Sequence, residues 1–314
     1  MGSTDSSSTT PKVALITGGA SGMGYAVAAA LSTSKTDNWS IHILDLNPDR
    51  GATAAKDLGP KTTFHPVNVT SYPSLATAFQ QAFRQHKRLD FVFANAGILD
   101  AAEFYNRHHH NDGEDPSSDE PPPAPKTGVI DIDLTSVITT THLALHYFRL
   151  TPYTPKSDSP RSLIITASCG GFYACPLQPL YGAAKHGTIG WTRNIASRFY
   201  RDDGIRVNAI CPSAVKTNLL PEAAWRTFPE EFFTPLGKVV EVVEMLLRGH
   251  GRDEEGTERE RLVGETVEIS GSRHYWRGQQ GYCDEAMGAM MGATGKDEFA
   301  NCRFLLGGFR VGVI

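Results

Sequence analysis

Strand-like and helix-like segments alternate along most of this chain, and that order limits the fold more than any other feature. From residue 12 onward, short apolar runs are repeatedly followed by longer helical segments. Strands separated by helices at this spacing form βαβ units with right-handed crossovers and parallel strands. The strands are continuously apolar, as expected when helices cover both faces of a sheet. The sequence therefore predicts one doubly wound α/β domain of the Rossmann type, with about seven parallel strands.

The predicted elements divide the chain into a domain at 12–280, a disordered leader at 1–11 and a C-terminal extension at 281–314. The predicted strands are 13–16, 41–45, 63–67, 89–94, 162–167, 206–210 and 266–269, and the predicted helices are 22–34, 50–58, 72–87, 129–150 and 180–200. Residues 106–126 are acidic and Pro-rich and cannot bury apolar area, so an inserted flexible loop is expected there. Residues 249–260 are expected to form a solvated charged turn.

Composition argues against several classes of function. The 314 residues carry a net charge of −4 without a cluster of Lys and Arg, so neither a nucleic acid nor a membrane surface is expected as a partner. No apolar stretch approaches the roughly 20 residues that span a bilayer. The five cysteines lack metal-ligand spacing, which favours reduced thiols in the cytoplasm. The histidines at 108–110 and the myristoylation-like N-terminus are interpreted as solvated sequence, so no metal and no lipid anchor is expected.

A glycine-rich turn, TGGASGMG at 17–24, joins the first predicted strand to the first predicted helix. Glycines there permit a tight turn and a close approach to a pyrophosphate, and the helix N-terminus supplies N–H donors. The alternative is an ordinary strand–helix turn. The predicted dinucleotide contacts in the turn are Thr17, Gly18, Ser21, Gly22, Met23 and Gly24.

An acidic residue, Asp45, ends the second predicted strand. A carboxylate at this place accepts hydrogen bonds from the adenosine ribose and repels a 2′-phosphate. The sequence therefore favours NAD(H) over NADP(H), with the nearby Arg50 as a feature that would soften the preference. The alternative interpretation of Asp45 is a solvated strand end.

A serine, a tyrosine and a lysine follow the fifth predicted strand. Ser168 ends that strand, and Tyr181 and Lys185 share one face of the next helix. A neighbouring ammonium lowers the pKa of a tyrosine from its usual value near about 10, which makes the phenol a usable acid and base. Ser168 would bind the substrate oxygen, Lys185 would also reach the nicotinamide ribose, and hydride would pass between the carbinol carbon and the nicotinamide. An exposed Tyr/Lys pair is the alternative.

In combination, these motifs make the chain similar to the short-chain dehydrogenases/reductases over roughly residues 12–270. The shared motifs include the turn at 17–24, N-A-G at 95–97, and the spacing of Ser168, Tyr181 and Lys185. Segments HLALHYF at 142–148, YGAAKHG at 181–187 and VEISGSRHYW at 267–276 more narrowly resemble fungal NAD-dependent members similar to 15-hydroxyprostaglandin dehydrogenase. The further cofactor contacts that the resemblance implies are Asn68, Val69, Asn95, Ala96, Gly97, Pro212, Val215 and Thr217.

Two residues depart from the family pattern. Asp133 replaces an Asn that helps hold a water between the lysine and solvent. Its carboxylate is expected to bind that water and to pair with Lys185, which would offset part of the lysine's effect on Tyr181. Ser213 replaces a glycine and is expected to narrow the nicotinamide or substrate pocket.

Four aromatic residues, Trp225, Phe228, Phe232 and Phe233, lie within the segment 217–236. The segment is interpreted as a mobile lid over a bulky apolar substrate, because loops at the carboxyl ends of strands commonly bind ligands. A helix pair that covers the sheet edge is the alternative.

The sequence thus predicts an NAD(H)-dependent interconversion of a secondary alcohol and a ketone on a bulky apolar small molecule of terpenoid or polyketide type, in fungal secondary metabolism. A dinucleotide-binding scaffold with a non-redox role, as isomerase, cyclase or sensor, is the alternative that the Asp133 substitution favours. The resemblance also implies a homodimer or homotetramer.

Overall fold

The computed structural model describes residues 10–100, 104–105, 121, 123–152, 160–226 and 228–294. The chain divides into two compact units, Met1–Arg277 and Gly278–Ile314. Most of the predicted leader, most of the predicted loop with its histidines at 108–110, and the end of the C-terminal extension lie outside the described residues. Across the part that is described, no helix is long and apolar enough to cross a membrane.

A sheet of eight strands forms the centre of the first unit. Its strands are β1 (Lys12–Thr17), β2 (Trp39–Asp45), β3 (Thr62–Pro66), β4 (Phe91–Ala94), β5 (Ser162–Thr166), β6 (Arg206–Pro212), β9 (Thr266–Ser270) and β10 (Arg273–Trp276), and two short strands, β7 (Gly251–Arg252) and β8 (Glu258–Arg259), pair separately. The order across the sheet is β10-β9-β6-β5-β4-β1-β2-β3. All neighbours are parallel except β9 and β10. The predicted fold class is confirmed, with one antiparallel edge strand added.

Helices cover both faces of this sheet. They are α1 (Gly22–Ser32), α2 (Pro48–Leu58), α3 (Tyr72–His86), α4 (Gly128–Ile130), α5 (Ser136–Leu150), α6 (Pro179–Asp203), α7 (Glu222–Trp225) and α8 (Leu236–Arg248). One core cluster joins the sheet to α3, α5 and α6, and a second joins it to α1, α2 and α8. Alternate residues of β1, β4, β5 and β6 enter the two clusters, which is why these central strands are mostly apolar. The described part of the second unit contains α9 (Glu285–Thr294).

Local sequence sets the bounds of the helix that carries the predicted Tyr/Lys pair. Pro179 is the first residue of α6, where its fixed φ suits a helix. The N–H that proline lacks would have no acceptor within the first turn. The helix ends at Gly204, whose φ of 64° is in the left-handed region that favours glycine. A π-helical turn, Asp131–Thr135, joins α4 to α5. Such turns are frequently found at functional sites.

The carboxyl ends of the parallel strands form one edge of the sheet. The strand β1 lies between β2 and β4, so the winding direction of the chain changes between β1 and β4. Ligands of open α/β sheets bind outside the carboxyl ends of the strands at such a switch point. Every residue of the candidate site described below belongs to a strand end, loop or helix at this edge.

Candidate active site

The glycine-rich turn has a backbone that side chains would obstruct. Gly18 has a φ of 63°, and a Cβ on Gly24 would lie 2.3 Å from the carbonyl oxygen of Gly18. The turn lies against the segment after β6, because a Cβ on Gly22 would be 3.0 Å from Cγ2 of Thr217. The turn ends at the N-terminus of α1, whose first backbone N–H groups can bind a phosphate, so the residues present fit a dinucleotide.

Asn95 and Thr17 bind the turn to its neighbouring strands. The Asn95 amide donates to the carbonyl oxygens of Thr17, at 3.2 Å, and of Gly18, at 3.3 Å, while Thr166 Oγ1 donates to Asn95 Oδ1 at 3.1 Å. Thr17 Oγ1 accepts from the N–H groups of Asn95 and Ala96. The Asn95 side chain therefore connects the glycine-rich turn after β1 to the end of β5.

The carboxylate of Asp45 also contacts the turn. Asp45 Oδ2 accepts from the N–H of Ala20 at 3.2 Å, and Oδ1 accepts from Asn47 at 3.1 Å. Arg50 Nη2 lies 3.6 Å from Oδ1 and forms an ion pair with it. The carboxylate is thus held at the end of β2, beside the glycine-rich turn, with a partly exposed cation next to it.

The predicted adenine neighbours lie at the end of β3. Asn68 is exposed, and its side-chain oxygen accepts from the N–H and the hydroxyl of Thr70. Val69 is half-buried and packs against the core cluster that contains α3. Val215 is buried after β6.

Ser168 and Tyr181 face the same glycine at the end of β5. A Cβ on Gly170 would lie 3.4 Å from Tyr181 Cε1 and 3.6 Å from Ser168 Oγ. Ser168 Oγ accepts from the N–H of Gly170 at 3.1 Å, which orients the hydroxyl. Lys185 Nζ lies 5.5 Å from the centre of the Tyr181 ring. The structure therefore brings together the three predicted catalytic side chains.

Burial changes the expected ionisation of Tyr181. Burial raises the pKa of Tyr181 above its ordinary value, Lys185 and Ser168 lower it, and the charge of Asp133 raises it. The net direction is upward. The sequence-based expectation of a lowered pKa of Tyr181 is therefore wrong, because the loss of solvation outweighs the effect of the ammonium.

Asp133 contacts Lys185 directly. Its Oδ2 lies 3.0 Å from Lys185 Nζ, and its Oδ1 accepts from the N–H of Ile98 at 2.8 Å. Lys185 Nζ also donates to the carbonyl oxygen of Thr166 at 3.1 Å. Both charged side chains are buried. Burial raises the pKa of Asp133, while the ammonium and the Ile98 N–H lower it. The predicted ion pair is present.

Three of the four predicted lid aromatics form one cluster. The ring centres of Trp225, Phe228 and Phe233 lie 5.8–6.1 Å apart, whereas the side chain of Phe232 points outward and is 61% exposed. The indole N–H of Trp225 donates to the carbonyl oxygen of Thr217 at 2.9 Å. The segment is therefore anchored beside the glycine-rich turn.

Hydrogen bonds also close the base of the segment that was predicted to be a lid. Ser213 Oγ and Thr234 Oγ1 lie 2.9 Å apart, and the N–H of Thr234 donates to the carbonyl oxygen of Ala214 at 2.8 Å. The segment between Ser213 and Thr234 therefore begins and ends beside the end of β6. The serine that replaces the family's glycine is one of the two residues that close this base.

Sequence reasoning missed one contact to the catalytic helix. Asp100 Oδ2 accepts from the N–H of Leu180 at 3.1 Å, across 80 positions of sequence. The available signal was indirect: Pro179 marks the start of a helix, and Gln178 before it is a poor capping residue.

Comparisons with known proteins identify the family of the chain. The family model for short chain dehydrogenases matches residues 12–226. Short-chain dehydrogenase/reductase prx7 of Penicillium rubens is 46% identical over 280 residues, which cover 87% of this chain and 96% of prx7. The 5'-hydroxyaverantin dehydrogenase of Dothistroma septosporum is 34% identical, with 66% of this chain and 68% of that protein covered. Human 15-hydroxyprostaglandin dehydrogenase [NAD(+)] is 30% identical, with 67% and 70% covered.

Among solved structures, a 3-ketoacyl-(acyl-carrier-protein) reductase of Brucella melitensis complexed with NADH superposes with a TM-score of 0.63. It covers 83% of this chain and 98% of the reductase at 19% identity, a level that supports the fold alone. The extensive matches in sequence show that the chain belongs to the short-chain dehydrogenase/reductase family, whose members bind a nicotinamide dinucleotide and act on CH–OH groups.

Proposed function

We propose that this chain is an NAD(H)-dependent oxidoreductase that interconverts a secondary alcohol and a ketone on a bulky apolar small molecule. The grouping of Ser168, Tyr181 and Lys185 at the end of β5 carries the proposal. A hydroxyl and a phenol that face one glycine, with an ammonium behind the phenol, can bind a substrate oxygen and transfer its proton.

Each of these side chains has a distinct role. When bound, the nicotinamide group supplies hydride exchange with the carbinol carbon. Ser168 donates a hydrogen bond to the substrate oxygen, and Tyr181 Oη accepts the alcohol proton or returns it to the ketone. Lys185 stabilises the phenolate form of Tyr181. Backbone N–H groups of the turn at 17–24 hold the phosphates.

The charges around Asp45 support NAD(H) over NADP(H). A cavity of about 390 Å³ beside the turn is lined by Ser21 and Arg50, and also by Asp49 and Asp57. Arg50 is already paired with Asp45. A 2′-phosphate in this cavity would meet the carboxylates of Asp49 and Asp57 and a guanidinium whose charge Asp45 already offsets, which disfavours its binding.

Apolar side chains around the site support a bulky apolar substrate. Ile98, Leu177, Leu219 and Phe232 are exposed on loops that follow β4, β5 and β6. Exposed apolar side chains that surround a polar reaction centre are typical of ligand sites. The fungal relatives, one of them named for 5'-hydroxyaverantin, support a role in the secondary metabolism of polyketide or terpenoid compounds.

The proposal includes a cytoplasmic enzyme that works as a homodimer or homotetramer. Cys169, Cys175, Cys211 and Cys283 are free thiols, as is usual in a reducing compartment. Oligomers are common in this family. Light scattering at micromolar concentration tests the oligomer, and a monomer would contradict it.

The Asp133–Lys185 ion pair favours a second candidate function. A neutralised ammonium activates Tyr181 less, which suits a scaffold that binds a dinucleotide as isomerase, cyclase or sensor. The two candidates differ in nicotinamide turnover. Binding of the dinucleotide without oxidation of NADH by ketones or reduction of NAD⁺ by alcohols, across a product-checked panel, would favour the scaffold.

The decisive test is a Tyr181→Phe variant. We expect the wild type to oxidise bulky apolar secondary alcohols with NAD⁺, and Tyr181→Phe to lose at least about 100-fold in kcat because its proton acceptor is gone. Tyr200→Phe is the matched control, since Tyr200 lies on the same helix with only a cation–π contact to Arg261 described. Full turnover by Tyr181→Phe would contradict the mechanism.

A further inference from the structure

The loop that follows β4 is fixed to the catalytic helix α6 at two points. At the first point, Ile98 N–H donates to Asp133, which pairs with Lys185 in the second turn of α6. At the second point, Asp100 Oδ2 accepts from the N–H of Leu180 in the first turn, at 3.1 Å. The first point involves a residue already assigned to the reaction, whereas Asp100 has no assigned role.

The first turn of α6 has no cap from its own sequence. Gln178 occupies the capping position and its side chain accepts no hydrogen bond from the helix, and Pro179 has no N–H. The first N–H groups of a helix need acceptors from outside the helix. A carboxylate there both accepts the hydrogen bond and interacts favourably with the positive end of the helix dipole. Asp100 supplies from a distant loop what a capping residue usually supplies locally.

The first turn of α6, which Asp100 caps, also contains Tyr181. Leu180 immediately precedes Tyr181, whose ring lies beside Gly170 and opposite the Ser168 hydroxyl. A frayed first turn would leave Lys185, one turn further along, in its buried ion pair, but it would release Tyr181 from its place. The geometry of the proton transfer therefore depends on the order of this turn.

We propose that Asp100 is a positioning residue for the oxidoreductase reaction, which caps the first turn of α6 and thereby fixes Tyr181 relative to Ser168. The inference rests on the proposed function. Loss of Asp100 should lower kcat, because misplacement of a reacting group by about 1 Å can cost about 100-fold in rate. Among the proposed cofactor contacts, the turn at 17–24 and Asp45 lie on other elements, and Asn95 is held by hydrogen bonds to β1 and β5, so the NADH Kd should not change.

The test compares Asp100→Ala and Asp100→Asn with Ser71→Ala. Ser71 caps α3 through the N–H of Ser74 and belongs neither to α6 nor to the group of Ser168, Tyr181 and Lys185, so its variant reports the effect of a lost cap on kcat. We measure kcat per NADH-binding site, titrated by NADH fluorescence, together with the NADH Kd and the thermal midpoint. Counting sites removes any effect of unfolded protein from kcat.

We expect Asp100→Ala to lose about 10- to 100-fold in kcat with its NADH Kd unchanged. Asp100→Asn keeps an oxygen acceptor and should recover most of that loss. Ser71→Ala should lower the midpoint by about 2–4 °C and keep its kcat. Unchanged kcat per site in Asp100→Ala, or equal losses in the Ala and Asn variants, would overturn the inference. A wild type without nicotinamide turnover would instead overturn the proposed function.

Discussion

At the scale of single residues, the pairing of Asp133 with Lys185 has the largest chemical consequence. A buried ammonium usually favours the phenolate form of a neighbouring tyrosine, but here a buried carboxylate lies 3.0 Å from that ammonium. The carboxylate raises the pKa of Tyr181, in opposition to the lysine. Asp133 thus sets how strongly Lys185 can activate the phenol.

We expect an Asp133→Asn variant to oxidise alcohols at lower pH than the wild type. Removal of the negative charge lowers the pKa of Tyr181, so the rising limb of the kcat–pH profile should move by about one unit towards acid. The pH dependence of kcat under saturating NAD⁺ and alcohol measures the shift. Asp131→Asn is the control, because Asp131 is exposed in the same π-helical turn. If the rising limb lies at the same pH in Asp133→Asn and in the wild type, the carboxylate does not change the pKa of Tyr181.

The sequence was sufficient to predict the side chains of the candidate active site, but not the direction in which the pKa of Tyr181 is shifted. Ser168, Tyr181, Lys185 and Asp133 follow from spacing and from the family motifs. The upward pKa of Tyr181 could not be predicted, because it depends on burial by elements distant in sequence. Asp100 was missed for the same reason, since its partner lies 80 positions away.

At the scale of elements, a cluster of histidines joins β2 and β3 to α3. His42 Nδ1 and His65 Nε2 lie 2.9 Å apart, and His65 Nδ1 lies 3.2 Å from Gln81 Oε1. His86 packs edge-on against His42 and lies 3.0 Å from Ser40 Oγ. Burial lowers the pKa of all three imidazoles, and that of His42 falls to about 3 with help from its two neighbours. These elements therefore pack against one another through uncharged imidazoles.

We expect this cluster to make the fold sensitive to acid. A histidine with a lowered folded pKa stabilises the protein fully above its unfolded pKa of about 6.5, and that stability is lost as pH falls towards the folded value. For His42 alone the loss between pH 7.5 and 5 is about 2 kcal/mol. Urea unfolding at the two pH values measures it.

A His42→Gln variant is the test of that assignment. The variant cannot take up the proton, so its stability should fall less between the two pH values, whatever its stability at pH 7.5. His250→Gln is the control, because His250 is exposed. If the free energy of unfolding falls equally with pH in the wild type and in His42→Gln, protonation of His42 does not cause the loss of stability.

Elements with regular local signals were the ones that sequence reasoning found. All seven predicted strands are present, because continuous apolar runs are a strong signal for buried parallel strands. β10 was missed, since it pairs antiparallel with β9 through a turn at Gly271. α8 was missed as well. Its valines favour strands locally, whereas its apolar face packs on the core cluster with α1 and α2.

At the scale of the whole molecule, the cofactor's predicted contacts come from segments far apart in the chain. The turn at 17–24, Asp45 and the segment at 212–217 meet at one edge of the sheet, with Gly22 beside Thr217 and Ala20 bonded to Asp45. These contacts exist only when the domain is folded. A ligand that binds only the folded state stabilises it in proportion to the logarithm of its concentration over its Kd.

We therefore expect NADH to raise the thermal midpoint more than NADPH does. At about 100 times its Kd, NADH should add about 2.7 kcal/mol, whereas NADPH at the same concentration should add less, because the proposed site of its 2′-phosphate is next to the Asp45 carboxylate. An Asp45→Asn variant should narrow the difference between the two nucleotides, since the amide no longer repels that phosphate. Ser71→Ala, which removes a helix cap and keeps the Asp45 carboxylate, should preserve the difference. If NADPH stabilises the wild type as strongly as NADH, Arg50 outweighs the carboxylates and the proposed preference for NAD(H) is wrong.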